Sequence, residues 1–142
     1  MHLLTFQQYT YQLNEQIAKK GDALIDSKTQ AEYKVTKAGR SGATVTYQKS
    51  LPGMKTSVSI PSSVKVDNIT YKVTGIVSNA FKGSSMLKKA TIGKNVTFIG
   101  TNAFKGIHKK VTIKIPKRKF SAYNNILRKK GIGTGATYKK LP

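Results

Sequence analysis

Apolar residues recur with three different rhythms along this chain. Phe6, Tyr9, Leu13 and Ile17 are spaced by three and four, the interval of one buried helical face, which predicts an amphipathic helix over residues 4–19. Lys19-Lys20 suit the negative end of its dipole, and Gly21 stops it. Tyr33-Lys-Val35-Thr and Ala43-Thr-Val45-Thr-Tyr47 alternate apolar and polar residues around Gly39-Arg-Ser-Gly42, the pattern of a β-hairpin. Pro52-Gly53 then marks a turn. Helical spacing returns at Phe120, Tyr123, Ile126 and Leu127, behind Pro116 and ahead of Arg128-Lys-Lys130 and Gly131. Ile132-Gly-Thr-Gly135 reads as a loop and Ala136-Thr-Tyr138 as a final strand.

The third rhythm is longer and occupies the middle of the chain. Ile76-Val-Ser-Asn-Ala-Phe-Lys-Gly83 returns twenty-three residues later as Ile99-Gly-Thr-Asn-Ala-Phe-Lys-Gly106, with six of eight positions identical. A fixed period in the twenties is the signature of a solenoid. Ala90-Thr-Ile92-Gly93 matches Ile113-Lys-Ile115-Pro116 at the same shift, and Val58-Ser-Ile60-Pro61-Ser-Ser-Val64 resembles the run Ala90 to Val96 at a shift of thirty-two. The difference of nine is an insertion, Lys65 to Val73. There the turn pair Asp67-Asn68 and the alternating Ile69-Thr-Tyr71-Lys-Val73 predict a small hairpin bulging from the first coil. A competing alignment sets Lys88-Lys-Ala-Thr-Ile92 on Lys109-Lys-Val-Thr-Ile113, at a shift of twenty-one. Phe81 and Phe104 are expected in the core, and Gly83 and Gly106 where the chain needs a positive φ after a helical turn. One such unit cannot cover its own apolar face, so neighbours must stack and the ends need caps.

These residues carry a resemblance. Ile60-Pro61-Ser-Ser-Val64 and Ile99-Gly100-Thr-Asn-Ala103-Phe104-Lys-Gly106 resemble the BspA-type leucine-rich repeats of bacterial surface proteins. That family usually has Cys after the last Gly, where this chain has Ser84 and Ile107. The resemblance implies an α+β chain: a short leucine-rich-repeat solenoid of about two to three repeats, with an N-terminal helix and hairpin and a C-terminal helical cap. The division expected is 1–32 as helix and linker and 33–142 as the repeat domain, with a hairpin cap at 33–50, repeats at 57–116 and the C-terminal cap at 117–142. The resemblance also implies a cell-surface or secreted protein engaged in adhesion or protein–protein interaction, although Met1-His-Leu-Leu-Thr-Phe6 lacks the charged start and compact apolar core of a signal peptide.

Charge adds what periodicity does not show. The 142 residues suffice for one domain, contain no Cys and carry a net charge of +21. All five acids, Glu15, Asp22, Asp26, Glu32 and Asp67, lie in the first half, whereas the stretch from Asn68 to Pro142 holds 17 Lys and Arg and no acid. Such a surface attracts polyanions at low ionic strength. The bland reading is that lysines merely solvate the outward positions of a solenoid. No apolar run approaches the length of a membrane span.

The inventory for catalysis is thin. His2 and His108 are the only histidines, and no acid in the second half of the chain stands ready to orient His108. Asp22 and Asp26 could approach each other on a helix as a hydrolytic carboxylate pair, but Gly21 breaks that helix. Hard-cation sites need several oxygen ligands, and this chain clusters positive charge instead. No catalytic residue, metal or cofactor is therefore expected. Tyr71, Tyr123 and Tyr138 lie among lysines and could stack bases in a groove, but the helical core spacing of Tyr123 favours packing there; no nucleic-acid-binding motif accompanies them, so nucleic acid is expected only as a nonspecific partner. The partner-binding candidates are Lys72, Lys88, Lys89, Lys94, Lys109, Lys110, Lys114, Lys117 and Arg118, presented to a protein or an anionic polymer. The leading expectation is a noncatalytic binding or adhesion module. The alternatives are an electrostatic binder of nucleic acid, sulfated glycan or anionic wall polymer, and an accessory module of a larger surface enzyme.

Overall fold

The computed structural model describes residues 17–53 and 55–142. The helix expected over residues 4–19 lies outside the described residues except for Ile17 to Lys19, which are not helical. The described strands run in chain order β1 (Ala23–Asp26), β2 (Ala31–Lys37), β3 (Ala43–Ser50), β4 (Ser57–Ile60) and β5 (Ser63–Val66). They continue as β6 (Ile69–Ile76), β7 (Lys89–Ile92), β8 (Phe98–Ile99), β9 (Thr112–Pro116) and β10 (Thr137–Leu141). A 3-10 turn at Lys117–Lys119 leads into α1 (Phe120–Leu127).

These strands form two sheets around one apolar core. A mixed sheet has the order β1-β2-β3-β6-β5, with β8 also pairing β6. The second sheet, β10-β9-β7-β4, is parallel throughout. Its registers settle the repeat. Val58 lies opposite Ala90, and Ala90 opposite Ile113, which are the shifts of thirty-two and twenty-three that the sequence predicts. The competing shift of twenty-one would pair Ala90 with Val111, but Val111 is fully buried in the turn ahead of β9. Thr137 lies opposite Thr112, so the expected final strand joins as a fourth parallel rung.

Coil-to-coil pairing continues through the turns. Asn79, Phe81 and Gly83 donate their amides to the carbonyls of Thr101, Ala103 and Lys105, at 3.1, 2.7 and 2.8 Å. The side chains between follow the same stacking, and an aromatic column runs along the axis. Tyr33 meets Tyr47 edge-on at 5.4 Å, Tyr47 meets Phe81 at 5.1 Å, and Phe81 stacks on Phe104 at 5.2 Å. Gly83 and Gly106 both sit at φ +81°, as the repeat requires. The preceding bend is a chain of tight turns instead of a helical turn, because Asn79 (φ 63°) and Asn102 (φ 57°) reverse the backbone where the motif places Asn.

The hairpin β2/β3 is antiparallel and β3 pairs in parallel with β6, so the hairpin continues the mixed sheet and Tyr47 begins the aromatic column. The insertion hairpin is β5/β6, turned by Asp67 (φ 51°) and Asn68 (φ 65°), the pair of positive φ values of a type I′ turn. The segment expected as linker is a correction: β1 pairs antiparallel with β2 there. Its turn is held by Asp26, which accepts the Thr29 hydroxyl at 2.7 Å and the Lys28 and Thr29 amides at 3.3 Å. At the other end, α1 buries Tyr123 and Leu127. Tyr123 donates its hydroxyl to the Gly93 carbonyl at 3.0 Å, pinning the helix to the exit of β7.

Candidate functional site

Alternation along the parallel sheet sends Ile60, Ala90, Ile92, Ile113 and Ile115 into the core. The intervening positions form two lateral rows across the four strands on the opposite face. One row is Ser57, Lys89, Thr112 and Thr137; the other is Ser59, Thr91, Lys114 and Lys139. Every position in both rows is a hydroxyl or an ammonium. Neighbours within a row stand about 4.8 Å apart across the strands, and the rows are separated by about 6.6 Å along them.

The charges on this face are arranged against their own interest. Lys139 stands directly across from Lys114, and Lys89 reaches it from one pleat back on the other side. Contact with Lys89, then its charge, slight desolvation and the charge of Lys139 together hold the Lys114 ammonium below the usual lysine range. Like charges directly opposite on neighbouring strands destabilise a sheet.

The expected binding residues fall into separate places. Lys89 and Lys114 lie on the face just described. Lys94, Lys117 and Arg118 line a groove at the carboxyl ends of the parallel strands. Lys109 and Lys110 occupy the exposed turn ahead of β9, where the Lys110 amide donates to His108 Nδ1 at 3.0 Å. Lys88 precedes β7 and is tied by its backbone to Thr56 and Thr112. Lys72 stands apart in the mixed sheet, across from Thr44 and Ser63. Sequence reasoning missed Lys139, Lys119 and the hydroxyls of the two rows. The signal for Lys139 was present: Lys89, Lys114 and Lys139 recur every twenty-five residues.

Two expectations about aromatic side chains change. Tyr71 is only 2 % exposed, inside the core, and offers no stacking surface. Tyr138 is half-buried, with the Arg128 guanidinium 4.5 Å above its ring. Among the described residues, no group of three or more His, Cys, Asp or Glu is placed to hold a metal ion. No described helix is long and apolar enough to cross a membrane.

The groove has a volume of about 890 Å³. It opens between the loops that follow β4 and β7, the 3-10 turn and the C-terminal residues Leu141 and Pro142. Its floor is closely packed: a Cβ on Gly93 would come within 2.7 Å of the Ile60 carbonyl oxygen and of Pro61. Asn95 Nδ2 donates to the Ser62 carbonyl at 2.9 Å, tying the second loop to the first.

A stack of parallel strands, repeated turns and coil-to-coil ladders defines a leucine-rich-repeat solenoid. The model of the BspA type leucine rich repeat region matches residues 55–131. That match spans more than half of the sequence, and the chain belongs to this family. A leucine rich cell surface protein from Faecalibacterium prausnitzii A2-165 has a similar structure, with a TM-score of 0.55 and 22% sequence identity over 84% of this chain. The alignment covers 30% of that protein, so the present chain corresponds to under a third of its length. A leucine-rich repeat protein from Bacteroides capillosus ATCC 29799 is similar with a TM-score of 0.50 and 15% identity, over 84% of this chain and 99% of the other. No curated protein matches the chain.

Proposed function

We propose that this chain is a noncatalytic binding module, exposed at or released from a bacterial surface, whose parallel sheet holds an anionic polymer on its outer face. The observation carrying the reading is the placement of Lys139 directly across from Lys114, with Lys89 beside them. A sheet that only needed solubility would place acids or neutral residues between such cations. Here the surrounding rows supply hydroxyls, which donate hydrogen bonds to anionic oxygens without competing for charge. The likeness to a cell surface protein of Faecalibacterium prausnitzii supports the location.

The stack is rigid, so a polymer with regularly spaced anionic groups meets successive rungs at a fixed pitch and small energies add. Binding of this kind weakens steeply with salt, because each neutralised charge releases a counterion. The test is a binding panel of sulfated glycan, polyphosphate and acidic protein at two salt concentrations. Polymer binding that falls with a log–log slope of about −2 to −3, one unit per lysine engaged, fits the reading. Binding confined to a protein, insensitive to salt and of fixed stoichiometry, would replace it with protein adhesion.

A further inference from the structure

The groove at the carboxyl ends of the parallel strands is built differently from the sheet face beside it. Its cations arrive from two sides: Lys94 on the loop after β7, and Lys117, Arg118 and Lys119 on the 3-10 turn. Ser62 and Asn95 line it as well, adding a hydroxyl and a side-chain amide. No acid follows Asp67 in the sequence, so the coils that carry these four cations contribute no counter-charge of their own.

The framework beneath is fixed. Gly93 leaves space for the two loops to close to backbone contact, and Tyr123 holds the Gly93 carbonyl from behind through its hydroxyl at 3.0 Å. Asn95 is held by its bond to the Ser62 carbonyl, while the Lys94 amide meets Ser62 Oγ at 3.4 Å. Concavity, loops tied to one another and cations on two walls suit an anionic group seated at this end of the groove. Donors from opposite walls suit a tetrahedral oxyanion, which offers acceptors in several directions. Arg118 adds the planar fork that binds such oxyanions in pairs of hydrogen bonds.

We propose that this groove is a discrete subsite for a phosphate or sulfate ester group of the polymer whose remaining charges lie along the sheet. Ser59 and Thr91 belong both to the outer row of the sheet and to the groove lining, so the two surfaces are continuous. The subsite rests on the reading of the sheet face as a polymer-binding surface, and it gives that surface a direction: the groove end takes one group individually, and the sheet takes the rest collectively.

The test is amide-resolved NMR of the full chain titrated with inorganic sulfate and, separately, inorganic phosphate, followed by binding of a sulfated hexasaccharide and a short polyphosphate. Saturable shifts confined to Lys94, Asn95 and Arg118 are expected. Arg118→Gln and Lys94→Gln should each weaken them by about tenfold, the value of one charge-assisted hydrogen bond. Lys34→Gln, an exposed charge-matched control in β2, should leave them unchanged. Whichever ion and polymer bind more tightly identifies the ester as phosphate or sulfate. Shifts that grow without saturation and spread over the lysine amides generally would overturn the subsite. So would equal effects of Arg118→Gln and Lys34→Gln. If Lys114→Gln weakens polymer binding while the groove variants match the control, the sheet face stands and the groove falls. If the groove variants abolish ion binding and Lys114→Gln leaves polymer binding intact, the groove stands and the sheet face falls.

Discussion

Phe104 stacks on Phe81, with ring centroids 5.2 Å apart and planes inclined by 13°. The two side chains come from corresponding places in successive coils, so the stack is the repeat made physical. Phe104 is fully buried. Phe104→Ala should destabilise the chain by about 3–5 kcal/mol through lost burial and an unfilled cavity. A double-mutant cycle with Phe81→Ala should show a coupling of about 0.5–1.5 kcal/mol. Urea unfolding of the four species measures both, and strictly additive effects would deny that the rings stabilise one another.

Gly93→Ala tests the close approach of the first two coils. The new Cβ would meet the Ile60 carbonyl oxygen and Pro61 at 2.7 Å, both of them backbone that cannot swing aside. A loss of about 1–3 kcal/mol is expected from overpacking. The same change should reshape the groove, so oxyanion binding should weaken even where the variant is fully folded at low temperature.

Lys114→Gln should separate stability from binding. Removing this charge relieves its confrontation with Lys89 and Lys139, so the melting temperature should rise at low ionic strength and the gain should fade with added salt. Polymer binding should weaken, with its salt slope reduced by about one unit. A variant that is less stable and binds as before would show that the lysine is structural.

The buried tyrosines set the alkaline limit. Burial raises the phenols of Tyr33 and Tyr47 above the ordinary value of 10.0, despite hydrogen bonds to Thr29 and Ser50 that act the other way. The folded chain therefore keeps protons that the unfolded chain releases. Their contribution to stability is complete below about pH 10 and is lost as the pH rises from there toward the folded values. Unfolding free energy should fall above pH 10 by about 1.4 kcal/mol per pH unit for each proton retained. Tyr33→Phe should flatten that decline, as chemical unfolding at several alkaline pH values would show.

How much of this was legible follows from how each part is built. The solenoid was readable at Phe81, Phe104, Gly83 and Gly106 because stacked coils impose one environment on equivalent positions, and one environment selects one residue. The insertion hairpin was readable because Asp67-Asn68 satisfies a turn that demands two positive φ values. Strand β1 was not readable: Leu24 and Ile25 are adjacent apolar residues, and Ile25 is left 53% exposed, so no alternation announces a strand. Its place comes from pairing with β2 and from the turn that Asp26 holds. Lys139 was missed because β10 carries few apolar residues of its own and takes its register from β9. The groove was invisible to sequence for a related reason. It forms where the ends of several coils meet, and no single segment contains it.

A charge-matched pair of triple variants tests most directly whether the sheet face binds the polymer. Lys89→Gln, Lys114→Gln and Lys139→Gln together empty the face of cations, while Lys28→Gln, Lys34→Gln and Lys49→Gln remove the same charge from the turn after β1 and the hairpin β2/β3. Affinity for a sulfated glycan or polyphosphate is then measured at physiological salt, with both variants confirmed as folded. The face variant should lose about a hundredfold or more, and its salt slope should shrink by about two to three units, while the control loses only the small share due to net charge. Equal losses in the two variants would contradict the account and reduce the lysines to a solvating coat.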